Sequence, residues 1–169
     1  MLIWIIVIAC LVAVDQVTKL MALNMLAPVG SVDVIEGVFR FTYVENRGAA
    51  FGMLSEHRWI FMVISIFAIA ALFIYLWKFR PDSRLACMAL SMIIAGGIGN
   101  MIDRTYLGFV VDFFDFYALG ELWVWVFNVA DVCVCVGGGL LVLWLIISMV
   151  EEYKTEKQKK KQSADEPHS

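Results

Sequence analysis

Four long apolar stretches, separated by polar connections, organise the chain. They cover about residues 2–23, 59–77, 85–102 and 124–150. A helix of roughly 20 mostly apolar residues is long enough to cross a bilayer. The pattern therefore predicts a membrane all-α fold with four transmembrane helices.

One polar segment between the first two stretches has a different period. Residues 34–46 are rich in β-branched and aromatic side chains, and Phe39, Phe41 and Tyr43 alternate with more polar neighbours. Alternation with a period of two predicts a strand or hairpin, and residues 46–48 (Asn-Arg-Gly) predict a turn after it. We expect a small β-rich segment resting on the membrane surface.

Composition independently indicates a membrane protein. The 169 residues are 62% hydrophobic and 17% charged, with a mean hydropathy of +0.81, whereas soluble domains have roughly 45–50% apolar and about 25% charged residues. A globule of this size cannot bury so much apolar surface. Intrinsic disorder and a secreted disulfide scaffold are excluded for the body of the chain, and we expect no nucleic-acid partner.

The distribution of basic residues predicts the orientation. The connection 78–84 has three basic residues in seven, and residues 151–169 contain five lysines. Because four spans place this loop and this tail on the same side, the positive-inside rule puts both termini in the cytoplasm. Residues 24–58 and 103–123 are then extracytoplasmic. Residues 1–150 form the membrane domain, and 151–169 form a charged cytoplasmic tail that frays after one or two helical turns.

Ionisable residues interrupt the first and fourth spans. Asp15 and Lys19 are four residues apart on one helix face and can pair. Asn128 and Asp131 also share a face, and Asp131 lies about two turns inside the fourth span without a sequence neighbour to neutralise it. Ionisable groups at membrane depth are candidate functional residues.

Further polar groups converge at the same membrane face. The third span ends in small residues at 95–99, which permit close helix packing. Asn100, Asp103 and Arg104 follow at once, at the same outer boundary as Asp131. Asp112 and Asp115 lie among apolar residues, where a carboxylate needs a partner or a raised pKa.

Other catalytic chemistries find little support. Each of the four cysteines lies in an apolar run, their spacing suits neither a zinc site nor a redox pair, and the chain has only two histidines. A bis-histidine haem or a histidine-rich metal site is therefore not expected. What remains is a carboxylate pair sharing one proton, which can activate water and polarise a peptide carbonyl.

Three functions remain open on the residues alone. A peptidase would use the carboxylate pair. A small proton- or ion-coupled transporter would use Asp15 and Asp131 as a relay, with its acids near the bilayer midplane, whereas here they gather on one side. A chaperone-like membrane binding module would not need the pair.

Five motifs, in this order, resemble those of the bacterial lipoprotein signal peptidase (signal peptidase II) family over about residues 2–150. They are DQVTK at 15–19, NRGAAF at 46–51, GGIGNMIDR at 96–104, VDF at 111–113 and FNVAD at 127–131.

The resemblance implies an aspartic endopeptidase of the bacterial cytoplasmic (inner) membrane, with Asp112 and Asp131 as its catalytic dyad at the extracytoplasmic side. Its substrates would be diacylglyceryl-modified prolipoproteins, cut just before the lipidated cysteine. Membrane lipid and globomycin-type inhibitors are the other expected partners, and the resemblance implies no metal and no organic cofactor.

The remaining polar residues of the motifs are candidates for binding substrate or supporting the dyad. Asn100 and Asn128 are suited to orient the dyad, Arg104 and Asn46 to hold the substrate backbone, and Lys19 to balance Asp15. Phe51 and Met53 are expected to help the strand segment cover the groove. The full supporting set is Asp15, Lys19, Asn46, Gly48, Asn100, Arg104 and Asn128.

Overall fold

Four long apolar helices form the body of the protein. The computed structural model describes residues 1–48, 58–118, 120 and 125–165. Within these ranges, four helices are long and apolar enough to cross a membrane. They are α1 (Leu2–Met21), α2 (Arg58–Phe79), α3 (Arg84–Tyr106) and α4 (Val129–Asp165). The predicted four-helix membrane fold is confirmed.

A small antiparallel sheet lies at one end of the helices. Its strands are β1 (Ser31–Ile35), β2 (Phe39–Asn46), β3 (Val110–Phe116) and β4 (Val126–Phe127), in the order β1-β2-β3-β4. The hairpin expected within 34–46 is present as β1 and β2. The sequence did not predict β3 or β4, although β3 carries Asp112.

The end of α1 changes its winding before the chain enters the sheet. A π-helical turn, Ala22–Leu26, continues α1 directly. Buried Ala22 packs with Val111 and Phe113 of β3 in an apolar cluster under the sheet. This cluster fixes the sheet against the helix bundle.

Helix α3 is the central helix, and two glycines let its neighbours approach. A Cβ at Gly96 would overlap the Ala130 carbonyl oxygen of α4, and one at Gly99 would overlap the Asp15 carboxylate of α1. Small residues are the usual solution where membrane helices pack backbone to backbone. The close packing expected from residues 95–99 is therefore present.

Helix α4 differs from its prediction at both ends. It begins at Val129, and Val124, the expected start, lies outside the described residues. Asp131 is therefore in the first turn rather than two turns inside. The expectation that the tail frays one or two helical turns after residue 150 is wrong, because the helix runs to Asp165. Its 37 residues span about 55 Å at 1.5 Å each, well beyond the roughly 30 Å of a bilayer core.

Candidate active site

The two candidate catalytic aspartates come from different elements at the sheet end. Asp112 lies on β3 and is 2% exposed. Asp131 lies in the first turn of α4 and is half-buried. Pairing of β3 with β2 brings the end of β2 next to Asp112. The sheet and the fourth helix thus jointly build the site.

Asn128 contacts both carboxylates. Its side-chain Nδ2 donates to Asp112 Oδ1 at 2.6 Å, and its backbone N donates to Asp131 Oδ2 at 3.2 Å. The backbone N of Asp131 donates back to Asn128 Oδ1 at 2.9 Å. The two contacts with Asp131 form a capping box that starts α4. The same residue therefore begins the helix and joins the two acids.

Two further asparagines complete the hydrogen bonds of the pair. Asn46 Nδ2 donates to Asp112 Oδ2 at 2.9 Å, and Asn100 Nδ2 donates to Asp131 Oδ1 at 2.8 Å. Gly48 N donates to Asn46 Oδ1 at 3.2 Å, which turns the Asn46 amide nitrogen towards Asp112. The Asn46 amide nitrogen thus supports Asp112, and the expected contact of Asn46 with the substrate backbone stays a prediction.

The electrostatic surroundings suit proton exchange. Burial raises the pKa of Asp112 to about 6; the nearby Asp131 carboxylate adds to this rise, while the Asn46 and Asn128 amides oppose it. A carboxyl with such a pKa can hold or release a proton near neutral pH. Arg104 is half-buried, interacts electrostatically with both aspartates, and donates through Nη1 to the Asn100 carbonyl at 3.3 Å.

A buried polar cluster lies directly behind Asn100. Lys19 Nζ is 2.9 Å from Asp15 Oδ2, so the expected pair is present. It also contacts Asp103 Oδ2 at 3.1 Å and Asn100 Oδ1 at 2.9 Å. Gln16 Nε2 bridges the two acids, at 3.2 Å from Asp15 Oδ2 and 3.0 Å from Asp103 Oδ1.

From the sequence, Asp103 was placed at the outer boundary but left out of the supporting set, and Gln16 was not selected. Both lie inside the motifs, and Asp103 is three residues after Asn100 on the same helix face. That spacing is the signal that identifies Asp103. Gln16 gives no comparable signal, because its role depends on which helix faces α1.

Asp115 has separate partners. Its Oδ2 accepts from Arg40 Nε at 2.7 Å and from Thr42 Oγ1 at 3.0 Å, both on β2. The expectation that this acid needs a partner is confirmed. Phe51 and Met53, expected to cover the groove, lie outside the described residues.

An apolar cavity opens between the end of α1 and the sheet. Its volume is about 280 Å³. Met25, Leu26, Phe41, Phe113 and Phe114 are among the residues that line it. The cavity offers apolar surface at the boundary between the membrane helices and the sheet.

Known proteins resemble this chain in sequence and in fold. The model of the family described as Signal peptidase (SPase) II matches residues 7–147. A lipoprotein signal peptidase of Clostridioides difficile (strain 630) is 41% identical over 145 residues, covering 86% of this chain and 95% of that protein. The lipoprotein signal peptidase of Symbiobacterium thermophilum is 45% identical over 138 residues, covering 80% of this chain and 89% of that protein. A bacterial membrane enzyme solved by the in meso method superposes with a TM-score of 0.76 at 33% sequence identity, covering 86% of this chain and 88% of that one.

Proposed function

Because this chain belongs to the signal peptidase II family of lipoprotein signal peptidases, we propose that it is an aspartic endopeptidase with Asp112 and Asp131 as its catalytic dyad. The family assignment makes it a membrane peptidase that removes signal peptides. One observation carries the aspartic mechanism. A buried carboxyl on β3 and a half-buried one on α4 are joined through a single asparagine, Asn128.

The pair can hydrolyse a peptide bond without any other group. The ionised carboxylate takes a proton from water, while the protonated carboxyl donates to the scissile carbonyl. Water oxygen bonds to the carbonyl carbon, and the carbon–nitrogen bond then breaks as a proton passes to the departing nitrogen. The products are a new carboxylate on the signal peptide and a free amine on the lipoprotein.

The lipid on the substrate accounts for the membrane setting. We propose that the substrate is a prolipoprotein with a diacylglyceryl-modified cysteine, cut just before that cysteine. The apolar cavity between α1 and the sheet supports this, since it gives an acyl chain apolar surface near the site. Membrane lipid surrounds the helices. Globomycin-type cyclic peptides are proposed to bind the same groove, and Arg104 to contact the substrate backbone.

The proposed location is the bacterial cytoplasmic membrane, with both termini in the cytoplasm and the dyad at the extracytoplasmic side. Lys78, Arg80 and Arg84 in and beside the α2–α3 connection, together with the lysines after residue 150, support this orientation through the positive-inside rule. Exported precursors would present their cleavage site on the sheet side.

The transporter alternative has less support. A relay needs ionisable groups spread through the membrane. Asp15 instead pairs with Lys19 and also accepts the Ala130 backbone N–H near the sheet end, the same end as Asp131. The family assignment also favours the peptidase over a binding module.

The decisive experiment uses purified full-length protein, a diacylglyceryl-modified prolipoprotein and a gel that detects the released signal peptide. Asp112→Asn and Asp131→Asn should each lower turnover by about 10²–10⁴-fold, because neither acid can replace the other. Asp115→Asn is the matched control on the same strand and should retain most activity.

Either dyad variant with more than about a tenth of wild-type turnover would refute the dyad. The unmodified prolipoprotein should be cut poorly, because it lacks acyl chains to anchor it. Equal rates on the modified and unmodified substrates would refute the lipid requirement, whatever the dyad variants do.

A further inference from the structure

Directly before each aspartate of the dyad, the backbone N–H donates a hydrogen bond to a buried acid. Asp15 Oδ1 accepts the Ala130 N–H at 2.8 Å, and Ala130 directly precedes the α4 member of the dyad. Asp103 Oδ2 accepts the Val111 N–H at 3.0 Å, and Val111 directly precedes the β3 member. The two contacts are equivalent, although they involve different helices and different parts of the chain.

One lysine joins these two acids. Lys19 Nζ lies 2.9 Å from Asp15 and 3.1 Å from Asp103, and its third contact is Asn100 Oδ1 at 2.9 Å. An ammonium group has three N–H donors, and here all three have acceptors. The three charged side chains are each 3% exposed or less. The spacing of the two carboxylates is therefore fixed by one buried cation.

We propose that Asp15, Lys19 and Asp103 form a positioning triad that sets the separation of Asp112 and Asp131. The triad holds the peptide N–H before each catalytic acid and links the two attachment points through Lys19. This inference rests on the proposed function, since it assumes that the two aspartates act as a dyad. It assigns a role to Asp103 and, through its bridge between the two acids, to Gln16.

Charge balance alone does not explain this arrangement. Lys19 alone neutralises one of the two acids, and the half-buried Arg104 adds only an electrostatic interaction with Asp103. Burying a second carboxylate is therefore still costly. The second acid is useful because a carboxylate can accept from an ammonium and a peptide N–H at once. Both Asp15 and Asp103 do this. Holding two backbone positions is thus the property that requires two acids.

The predicted consequence is on chemistry rather than on substrate affinity. A displacement of about 1 Å between catalytic groups can cost about 100-fold in rate. The triad side chains are buried, so we expect their loss to lower kcat while KM stays within about twofold. A wider dyad also has weaker repulsion between its two carboxylates, which should narrow the pH profile of kcat.

Three variants of the full-length enzyme separate geometry from charge. Lys19→Met removes a positive charge, Asp103→Asn removes a negative one, and Gln16→Met loosens the bridge without changing charge. The other charged groups near the dyad, Asp15 and Arg104, stay in place. We expect all three variants to lower kcat, by about 10–100-fold for the charged positions. They should also narrow the pH range over which kcat is high, with its acidic limb moving to higher pH and its basic limb to lower pH.

A purely electrostatic role would give a different result. Lys19→Met would move both limbs of the profile to higher pH, and Asp103→Asn would move both to lower pH, without narrowing. That outcome overturns the positioning triad. An unchanged profile with a lower melting temperature also overturns it. Asp115→Asn, which removes an acid of β3 that pairs with Arg40, is the control and should leave the profile unchanged.

A second measurement does not require activity. Residue-resolved amide hydrogen exchange should show that Gln16→Met and Lys19→Met speed exchange at Val111 and Ala130 together, by at least about tenfold. Neither substituted side chain hydrogen-bonds to these amides, so a joint effect must pass through the two acids. Exchange that stays at wild-type rates at both amides refutes the triad. Active Asp112→Asn or Asp131→Asn enzymes would instead refute the proposed function, which keeps the two failures distinct.

Discussion

Asp112→Asn should gain stability relative to wild type as the pH rises from 4 to 7, while losing the activity. Asp112 is 2% exposed, and burial raises its pKa to about 6 from an ordinary value of 3.8. The folded protein therefore binds this proton more tightly than the unfolded chain does. Ionising the buried carboxyl carries a free-energy cost that an asparagine never incurs.

The size of the effect follows from the shift in pKa. A rise from 3.8 to about 6 corresponds to about 3 kcal/mol of lost stability once the acid is ionised. Below about pH 3 the acid is protonated in both the folded and the unfolded state, so the cost is absent. It grows between about pH 4 and pH 6 and is fully present above that. The substituted asparagine has one acceptor oxygen for the two amide donors of Asn46 and Asn128, so one hydrogen bond is lost. This loss costs about 1–3 kcal/mol of stability and does not depend on pH.

The assay is thermal unfolding followed by tryptophan fluorescence, for wild type and variant, in one detergent from pH 4 to pH 8. The melting temperature of the variant minus that of wild type should rise by several degrees between pH 4 and pH 7, since the constant penalty cancels from the trend. Asp115→Asn is the control: it removes an ion pair with Arg40, so its difference should not rise with pH. A flat or falling difference for Asp112→Asn would refute the buried-acid argument.

Two further predictions concern packing and topology. Gly99→Ala should lower the melting temperature and the turnover, because the new methyl group overlaps the Asp15 carboxylate and lies 3.3 Å from the Ala130 Cβ. The control, Gly139→Ala, meets nothing within 4 Å and should be neutral or slightly stabilising. Equal effects of the two substitutions would contradict the packing. In intact cells or spheroplasts, a cysteine that replaces Asp82 in the α2–α3 connection should resist a membrane-impermeant thiol reagent. A cysteine that replaces the exposed Val34 on β1 should react with it. The reverse labelling pattern would invert the proposed orientation.

The sequence predicts the helices well because their cause is local. In a bilayer each backbone polar group must be paired within the segment, so a long apolar run has little choice but to be a helix. The gathering of polar residues at one end follows from the alternating direction of the four spans. The pairing of Asp15 with Lys19 needs only the helical repeat.

The parts that escaped prediction depend on contacts distant in sequence. Strand β3 has two acids in a short apolar run, and its pairing with β2 joins segments more than sixty residues apart. The start of α4 is set by a capping box at Asn128, which a hydropathy pattern cannot register, although asparagine followed three residues later by an acid is a usable signal. The helix persists to Asp165 because lysine, glutamate and glutamine are good helix formers even in a solvated tail.

The arrangement of charges and amides around the proposed dyad has a chemical reason. Asp112 and Asp131 accept hydrogen bonds from the amides of Asn46, Asn100 and Asn128, and the Lys19 ammonium lies one hydrogen bond further away, on Asn100. An ammonium in direct contact would favour ionisation of both acids and so prevent them from sharing a proton. An amide orients a carboxylate without supplying a full charge. Placing the cation behind an asparagine therefore provides rigidity while leaving Asp112, whose pKa burial raises to about 6, able to hold or release a proton near neutral pH, as acid–base hydrolysis requires.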